Sequence, residues 1–330
     1  MELDLSNIND EGRVVVNVEN FETSLIADNN DKFQCWINCQ PRFLFKANKL
    51  GTNDECEILA NYIAKEVGVS SVNVFPAVFV DEHGNCIEGI LSEDFIENRQ
   101  KDESIKSSMI IGKGIANVVY NHVKGLQILA LKSIQQNKFL EIDEYIETDL
   151  LKMCLFDYLT LQKDRAKRNI EYIVEKDVFG GKIKLAPLFD NSWMFYAHHS
   201  SMFNEIYAQL MECKNKEERL EFLKEKTFNF SFEFSVKSST FIRGSQKTIL
   251  ANELAAEIVK NNELYDVFTK FKDLNLYELQ KKIQKEVNFK IDDDLIFVAQ
   301  NLFEFQYNNL EQALNMRKEA NLKRQASFDF

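Results

Sequence analysis

The sequence predicts an α+β protein with two lobes, a small β-rich lobe over residues 1–97 and a larger, mainly helical lobe over residues 98–330. Two patterns lead to this division. Short runs rich in β-branched and aromatic residues recur before residue 97 and are typical of strands. From about residue 98 onward, apolar residues recur mainly at helical spacing. The charge-rich stretch ENRQKDES lies where one pattern gives way to the other and marks the boundary.

The first lobe is expected to contain five strands and one helix. The strands are RVVVNV (13–18), KFQCWI (32–37), RFLFKA (42–47), VNVFPAVFV (72–80) and CIEGILSEDF (86–95). The turn NCQP (38–41) is expected to join the second and third strands in a hairpin. The helix begins at Asn53 or Asp54, which are good N-cap residues, and ends at Gly68, a good C-terminal residue.

The second lobe is expected to be helical except for one hairpin. Apolar residues at helical spacing predict helices within 110–136, 142–162, 202–226, 246–285 and 292–322. A short β pattern interrupts them, with IEYIV (170–174) and KIKLAPL (182–188) on either side of a Gly-Gly pair. We therefore expect two paired strands inserted among the helices, with a turn near 177–181.

The composition indicates a soluble protein that does not grip nucleic acid through a general basic face. The chain carries 52 acidic and 40 basic residues, a net charge of −12. No apolar signal-peptide region opens the sequence, and no run of 18 apolar residues is long enough to span a membrane. Six scattered cysteines show no metal-ligand spacing and favour a reducing compartment. We expect a cytoplasmic protein, or a translocated effector without a recognisable signal peptide.

The segment FDYLTLQKDRAKRNIEYIV (156–174) carries the first candidate site. Asp164 and Asn169 lie five residues apart with cations between them, just before a predicted strand. Pairing of the two strands would bring Asn169 to Asp190, which follows the second strand, and Asp164 lies on the loop beside them. Carboxylate and amide oxygens of this kind suit a hard divalent cation. The simpler interpretation is a charged turn between a helix and a strand.

The first lobe offers residues that could complete such a site. Lys46 ends a predicted strand, and the helix after it carries Glu55 and Glu57. A strand lysine paired with a helix glutamate is the arrangement that protein kinases use to hold nucleotide phosphates. From the residues alone, either Glu55 or Glu57 could be this partner of Lys46. The simpler interpretation of Lys46 is a solvated lysine at the end of a strand.

In these motifs the chain resembles the HipA-like serine/threonine kinases. The resemblance rests on LFDYLTLQKDRAKRNI followed by KLAPLFDNS, and on FLFK followed by ILANYIAKEVGV. It covers most of the chain between about 30 and 195. It implies a bilobal, protein-kinase-like fold, related distantly to phosphatidylinositol kinases, and an ATP- and Mg²⁺-dependent kinase that transfers the γ-phosphate to a protein hydroxyl.

The resemblance also implies roles for single residues. Asp164 would be the catalytic carboxylate, with Lys46 as the ATP lysine and Glu57 as its partner. Asn169 and Asp190 would be the magnesium ligands. The linker residues Glu93, Asp94 and Phe95 would contact adenine, and Lys32 ends the candidate phosphate-covering loop ADNNDK (27–32). We expect the cations Arg165 and Lys167 to face phosphate and offset its charge in the transition state, which makes Arg165 a candidate catalytic residue.

Some features depart from the family pattern or leave alternatives open. Ala166 replaces the usual histidine after Asp-Arg, and the loop at 27–32 is not rich in glycine. A lipid or small-molecule kinase and a catalytically silent pseudokinase that acts as a binding module are the alternatives.

The resemblance further suggests a toxin or effector role, an antitoxin-like regulatory partner and autophosphorylation, with Ser24 as the nearest candidate hydroxyl. Basic residues precede Ser327 in KRQASF (323–328), a pattern that basophilic kinases accept, so Ser327 is a second candidate. The simpler interpretation of this tail is a solvated helix end.

Overall fold

The computed structural model describes most of the chain. It covers residues 2–29, 32–47, 54–96, 103–106, 115–136, 138–163, 165, 169–176, 180–197, 200–226, 231–233, 246–248 and 250–328. Over these ranges the protein is α+β, with a β-rich N-terminal sheet followed by a mainly helical part. The predicted fold class is confirmed. Because residues 97–102 lie outside the described ranges, the domain boundary at residue 97 stays a prediction.

Six strands form the sheet of the first lobe. They are β1 (Val14–Asn17), β2 (Thr23–Asn29), β3 (Lys32–Ile37), β4 (Phe43–Ala47), β5 (Val74–Val80) and β6 (Cys86–Glu93). Their spatial order is β1-β5-β6-β4-β3-β2. The pair β1–β5 is parallel and the other neighbours are antiparallel. The five predicted strands and the β3–β4 hairpin are confirmed. Strand β4 lies inside the sheet and is hydrogen-bonded to β3 on one side and to β6 on the other.

The strand β2 was not predicted, because part of it was interpreted as the phosphate-covering loop. Backbone pairing extends β2 through Asn29, which lies opposite Lys32 at the start of β3. The region between the strands is therefore shorter than the predicted loop at 27–32. Residues 30 and 31 lie outside the described part of the chain.

The predicted helix of the first lobe is α1 (Asp54–Val67), and it ends where the sequence indicated. Gly68, the next residue, has φ +76°, a left-handed conformation that glycine adopts without steric cost. Eleven of the 14 residues of α1 are buried. The helix packs on β5 and also against helices of the second lobe. It therefore lies between the two lobes, where it can hold a side chain facing the cleft.

The neighbouring strands β4 and β6 approach each other closely beside Lys46. Gly89 of β6 lies opposite Ala47, and a Cβ atom added to it would stand 2.1 Å from the carbonyl oxygen of Lys46. Only glycine permits this approach.

The second lobe contains eight helices and six short strands within the described ranges. The helices are α2 (Ile115–Gln135), α3 (Ile146–Thr160), α4 (Ser200–Glu212), α5 (Lys216–Glu225), α6 (Ala251–Lys260), α7 (Asn262–Lys272), α8 (Leu276–Val287) and α9 (Asp293–Phe328). The strands are β7 (Glu103–Lys106), β8 (Leu140–Ile142), β9 (Glu171–Lys176), β10 (Gly181–Leu185), β11 (Ser231–Glu233) and β12 (Gln246–Thr248). Among these helices none is both long and apolar enough to cross a bilayer.

The predicted hairpin is confirmed as β9 and β10, which pair antiparallel from Gly181 opposite Lys176 to Leu185 opposite Tyr172. β7 and β8 flank it in the order β7-β9-β10-β8. These two strands were missed because three or four residues are too few to show a period of two.

The predicted helical segment 246–285 is divided. β12 opens it, and three helices follow. The side chains of Asn261 and Asn275 accept hydrogen bonds from the N–H groups of Leu264 and Tyr277, at 3.0 Å each, and so begin new helices.

Helix α3 is the rigid base of the candidate site. Eleven of its 15 residues are buried, and it packs against α2, α7 and α9. The helix ends at Leu161, which has the left-handed φ of 52°. Because α3 is held on nearly every face, the chain that leaves it at Gln162 starts from a fixed position.

Candidate functional site

Lys46 of β4 and Glu57 of α1 form an ion pair. The Lys46 Nζ lies 3.4 Å from the Glu57 Oε1. Both residues are buried, at 7% and 1% exposure. The pair joins the central sheet of the first lobe to its helix, and the solvated-lysine interpretation does not fit this burial.

The geometry favours Glu57 over Glu55 as the partner of Lys46. Glu57 uses its second oxygen, Oε2, to accept the backbone N–H of Asn191 at 2.8 Å. Glu55 accepts the backbone N–H of Asp292 at 3.2 Å, on a different side of α1. Glu57 therefore connects the sheet with the segment after β10, whereas Glu55 connects α1 with the start of α9.

Glu55 allows a prediction of how stability depends on pH that does not involve the partners of Lys46. Burial, followed by the neighbouring Asp54, raises its pKa from 4.5 to about 7. Between these values the folded protein keeps a proton that the unfolded chain has lost, so stability falls as pH rises. We expect the free energy of unfolding of Glu55→Gln, relative to that of wild type, to rise by about 1–2 kcal/mol between about pH 5 and about pH 8, after allowance for solvent screening. Urea unfolding at several pH values measures this difference. A pH-independent difference would contradict this.

Asp190 is the third member of the cluster. Its Oδ1 lies 3.2 Å from the Lys46 Nζ, and its side chain keeps 33% of its surface exposed. The residue has φ 57°, in the left-handed region that aspartate and asparagine enter more readily than most residues. The structure thus brings Lys46, Glu57 and Asp190 together although 144 residues separate the first from the last.

The carboxylates of Asp190 and Glu57 keep Lys46 protonated. Burial acts to lower the pKa of Lys46, but the carboxylates of Asp190 and Glu57 outweigh it and raise that pKa above its usual value. Burial also raises the pKa of Glu57, against the attraction of Lys46. Lys46 is therefore a fixed positive charge beside the partly exposed carboxylate of Asp190.

Arg165 does not face phosphate, and that prediction is corrected. The residue is 0% exposed. Its guanidinium makes a two-point ion pair with Asp157 of α3, with Nε–Oδ2 and Nη2–Oδ1 both at 2.9 Å. Nη1 donates to the carbonyl of Phe189 at 2.8 Å, and Nη2 donates to the Asn191 Oδ1 at 2.6 Å. A buried aspartate requires a cation, so Arg165 turns inward and acts as a positioning residue.

Three buried side chains hold the backbone on both sides of Asp190. Arg165 donates to the carbonyl of Phe189, before Asp190. The Gln162 Nε2 donates to the carbonyl of Asp190 at 2.9 Å. Glu57 accepts the N–H of Asn191, the next residue. Both peptide groups that flank the Asp190 Cα are thus fixed.

Lys46, Asn169 and Asp190 line one cleft of about 420 Å³ between the lobes. Asn169 is 4% exposed and precedes β9. The open end of the β9–β10 hairpin therefore brings Asn169 and Asp190 to the same cleft, as predicted. The remaining wall residues are Gln34, Trp36, Leu44, Ser92, Glu93, Asp94, Phe95, Ile96, Ser104, Glu171 and Phe189.

The linker residues Glu93, Asp94 and Phe95 all line the cleft, but two of their backbone N–H groups are already used. The N–H of Glu93 donates to the Asn73 carbonyl at 2.9 Å, and that of Asp94 donates to the Arg42 carbonyl at 2.8 Å. The Phe95 ring stacks on the Phe189 ring, with centroids 5.6 Å apart. The aromatic pair gives this end of the cleft a flat apolar wall.

A larger cavity of about 530 Å³ shares Glu93, Asp94 and Phe95 with the cleft. Its other walls come from Ser70–Asn73, α3 and the β9–β10 hairpin, and it is not lined by Lys46 or Asp190. We assign the candidate chemistry to the smaller cleft, which holds the ion-paired lysine.

Several predicted site residues lie outside the described part of the chain. These are Asp164 and Lys167, together with the variant position Ala166. Lys32 begins β3, but its side chain is not described. Their predicted roles stay predictions.

Several polar or aromatic residues of the site were not predicted from the sequence. Gln162 holds the Asp190 carbonyl, and Gln34, Trp36 and Glu171 line the cleft. Gln34 and Trp36 alternate along β3, so the period of two places both on the face that Lys46 shares. This alternation was visible in the sequence, whereas the direction of the Gln162 side chain was not.

The donor set fits a nucleotide with a hard divalent cation. The cleft joins an aromatic wall to a buried cation, as a base and its phosphates would require. The Asn169 amide and the partly exposed Asp190 carboxylate are oxygen donors of the kind that Mg²⁺ binds together with substrate phosphates. Among the described residues there is no cluster of three or more His, Cys, Asp or Glu side chains that could hold a metal ion.

Comparison with solved structures decides the fold. The proinflammatory kinase CtkA of Helicobacter pylori superimposes with a TM-score of 0.55 at 12% sequence identity, covering 92% of this chain and 99% of that one. The chain has a kinase-like fold. This agrees with the bilobal fold that the resemblance to HipA-like kinases implies.

A weaker similarity links the chain to HipA of Shewanella oneidensis MR-1, solved with HipB and operator DNA as a toxin–antitoxin complex. The TM-score is 0.37 at 13% identity, covering 83% of this chain and 58% of that one, too low to support a structural argument. No protein-family model matches the sequence, and no curated protein matches it significantly.

Proposed function

We propose that the protein is an ATP- and magnesium-dependent kinase that transfers the γ-phosphate to a serine or threonine hydroxyl of a protein. The observation that carries this proposal is the pairing of Lys46 with both Glu57 and Asp190, at 3.4 and 3.2 Å, in an interlobe cleft that Asn169 also lines. The kinase-like fold supports it. A buried lysine held between two carboxylates is poised to receive phosphate oxygens.

Each residue has a distinct role in this proposal. Lys46 binds the phosphates, and Glu57 holds the lysine in place. Asn169 and Asp190 supply oxygen ligands to Mg²⁺, which when bound offsets phosphate charge. Asp164 orients the attacking hydroxyl and accepts its proton, and the Phe95–Phe189 pair contacts the base.

The finer proposals rest on the sequence resemblance. They are serine/threonine specificity, autophosphorylation, a toxin or effector role, and regulation by an antitoxin-like partner. Lys32, Lys167 and the backbone of Glu93 and Asp94 are proposed as further nucleotide contacts. The N–H groups of Glu93 and Asp94 already bond within the protein. We therefore propose that the base contacts backbone groups of this linker other than these two N–H groups.

Transfer of labelled γ-phosphate tests the proposal. The wild type is offered protein substrates, itself and lipid vesicles, beside Asp164→Ala and Asp190→Ala. We expect Mg²⁺-dependent labelling of protein by the wild type and a loss of about 10²-fold or more in each variant, because each removes a group that acts in the transition state. Unchanged transfer by the Asp190 variant would contradict the assignment. Labelling of lipid alone would establish the lipid-kinase alternative.

A further inference from the structure

Gln162 lies in an unusual polar environment. The residue is 0% exposed and directly follows the left-handed end of α3. Its Nε2 donates to the Asp190 carbonyl at 2.9 Å. Because a carbonyl oxygen only accepts, the amide nitrogen must face it, and Oε1 points away. Within the described part of the chain, this Oε1 is buried and has no hydrogen-bond partner. An unsatisfied buried acceptor opposes folding, so we expect Gln162 to have a role that compensates for this cost.

The peptide that follows Asp190 is held at both polar ends. Gln162 donates to its carbonyl, and Glu57 accepts its N–H, which belongs to Asn191. Arg165 holds the carbonyl of the preceding peptide. A peptide group is a rigid plane. Two fixed planes on either side of the Asp190 Cα therefore fix its φ and ψ.

The fixed conformation lies outside the backbone regions that most residues prefer. At φ 57° it lies in the left-handed region, which costs free energy and persists where the surroundings over-determine it. This conformation accompanies the 3.2 Å contact between the Asp190 Oδ1 and the Lys46 Nζ. Release of the peptide would let the backbone relax and would carry the carboxylate away from the lysine.

We propose that Gln162 is a positioning residue for Asp190, and that it stays in its buried place despite the unsatisfied oxygen because its N–H fixes the peptide after Asp190. Its effect on metal use rests on the proposed function. Its effect on the geometry of Asp190 does not.

Asn61 of α1 provides a matched control. Its amide also donates to a backbone carbonyl, that of Val72, and its Oδ1 is likewise buried without a partner among the described residues. Asn61→Leu and Gln162→Met thus remove the same kind of group, a buried amide that donates to a backbone carbonyl and carries an unsatisfied oxygen. Asn61 makes one further bond, to the Ser71 Oγ at 3.4 Å. Only the Gln162 amide touches Asp190.

The test measures stability, structure and kinetics of the two variants. For Gln162→Met we expect an unfolding midpoint in urea close to that of wild type, because the unsatisfied Oε1 is removed but the Asp190 carbonyl loses its donor. We expect kcat to fall about 10- to 100-fold with KM for ATP little changed, and the Mg²⁺ requirement to rise, because a displaced ligand affects the reacting geometry. Asn61→Leu should keep wild-type kcat.

Crystal structures of wild type and Gln162→Met provide a readout that does not depend on activity. We expect the wild type to keep residue 190 in the left-handed region and the variant to lose both that conformation and the contact with Lys46. If residue 190 and its contact are unchanged in Gln162→Met, the positioning role is overturned. If the wild type transfers no phosphate while the two structures differ as expected, the proposed function fails and the positioning role stands.

Discussion

Replacing Arg165 by methionine is expected to destabilise the protein by about 3–5 kcal/mol, because it leaves the carboxylate of Asp157 buried without a cation. Both side chains of this ion pair are 0% exposed, and the two hydrogen bonds between them measure 2.9 Å. The variant also leaves the carbonyl of Phe189 without its donor. Urea unfolding of the wild type and Arg165→Met measures the difference directly.

Two controls separate the buried pair from a general effect of charge removal. Lys281→Met breaks an exposed ion pair with Glu278 and should change stability by less than about 0.5 kcal/mol. The double variant Asp157→Leu/Arg165→Met should recover part of the loss, since it removes the uncompensated charge as well. A change below about 1 kcal/mol in Arg165→Met would show that Asp157 does not depend on this arginine.

Replacing Glu57 by glutamine is expected to lower kcat/KM about 10²-fold. The variant removes one of the two carboxylates that hold Lys46. An amide in this place also has a single acceptor oxygen, whereas Glu57 accepts from both Lys46 and the Asn191 N–H. Either the lysine or the segment after Asp190 therefore loses its partner. Steady-state phosphate transfer measures the effect.

Glu55→Gln is the matched control for Glu57→Gln. It changes the same residue type two positions away on α1, but its carboxylate accepts the N–H of Asp292 and not the amine of Lys46. We expect wild-type kcat/KM for this control. Equal losses in the two variants would mean that α1 as a whole, and not the pair with Lys46, limits activity.

The features of the fold that depend on local patterning could be predicted from the sequence. The β9–β10 hairpin follows from two short β patterns around a Gly-Gly pair, and α1 from an N-cap and Gly68. The convergence of Asn169 with Asp190 was also predictable, because register fixes the two ends of a hairpin. The approach of Lys46 to Asp190 followed only from the resemblance to HipA-like kinases. Short edge strands such as β7 carry too little pattern to be found.

The directions of side chains in the loop after α3 could not be predicted from spacing. Arg165 stands between two candidate site residues in sequence, yet its guanidinium turns into the core. One sign was present in the sequence: Asp157 is the only charged residue in the last seven positions of α3. A buried aspartate requires a nearby cation. The role of Gln162 depends on the backbone conformation of Asp190, which composition does not encode.

The proposed function requires that the cleft around Lys46 bind the phosphates of ATP. Isothermal titration of ATP with Mg²⁺ into the wild type and Lys46→Met measures this binding. The wild type should bind one ATP, and Lys46→Met should bind about 10- to 100-fold more weakly, because it loses charge-assisted hydrogen bonds to phosphate. No binding by the wild type, or equal affinity in the two proteins, would contradict the proposed function.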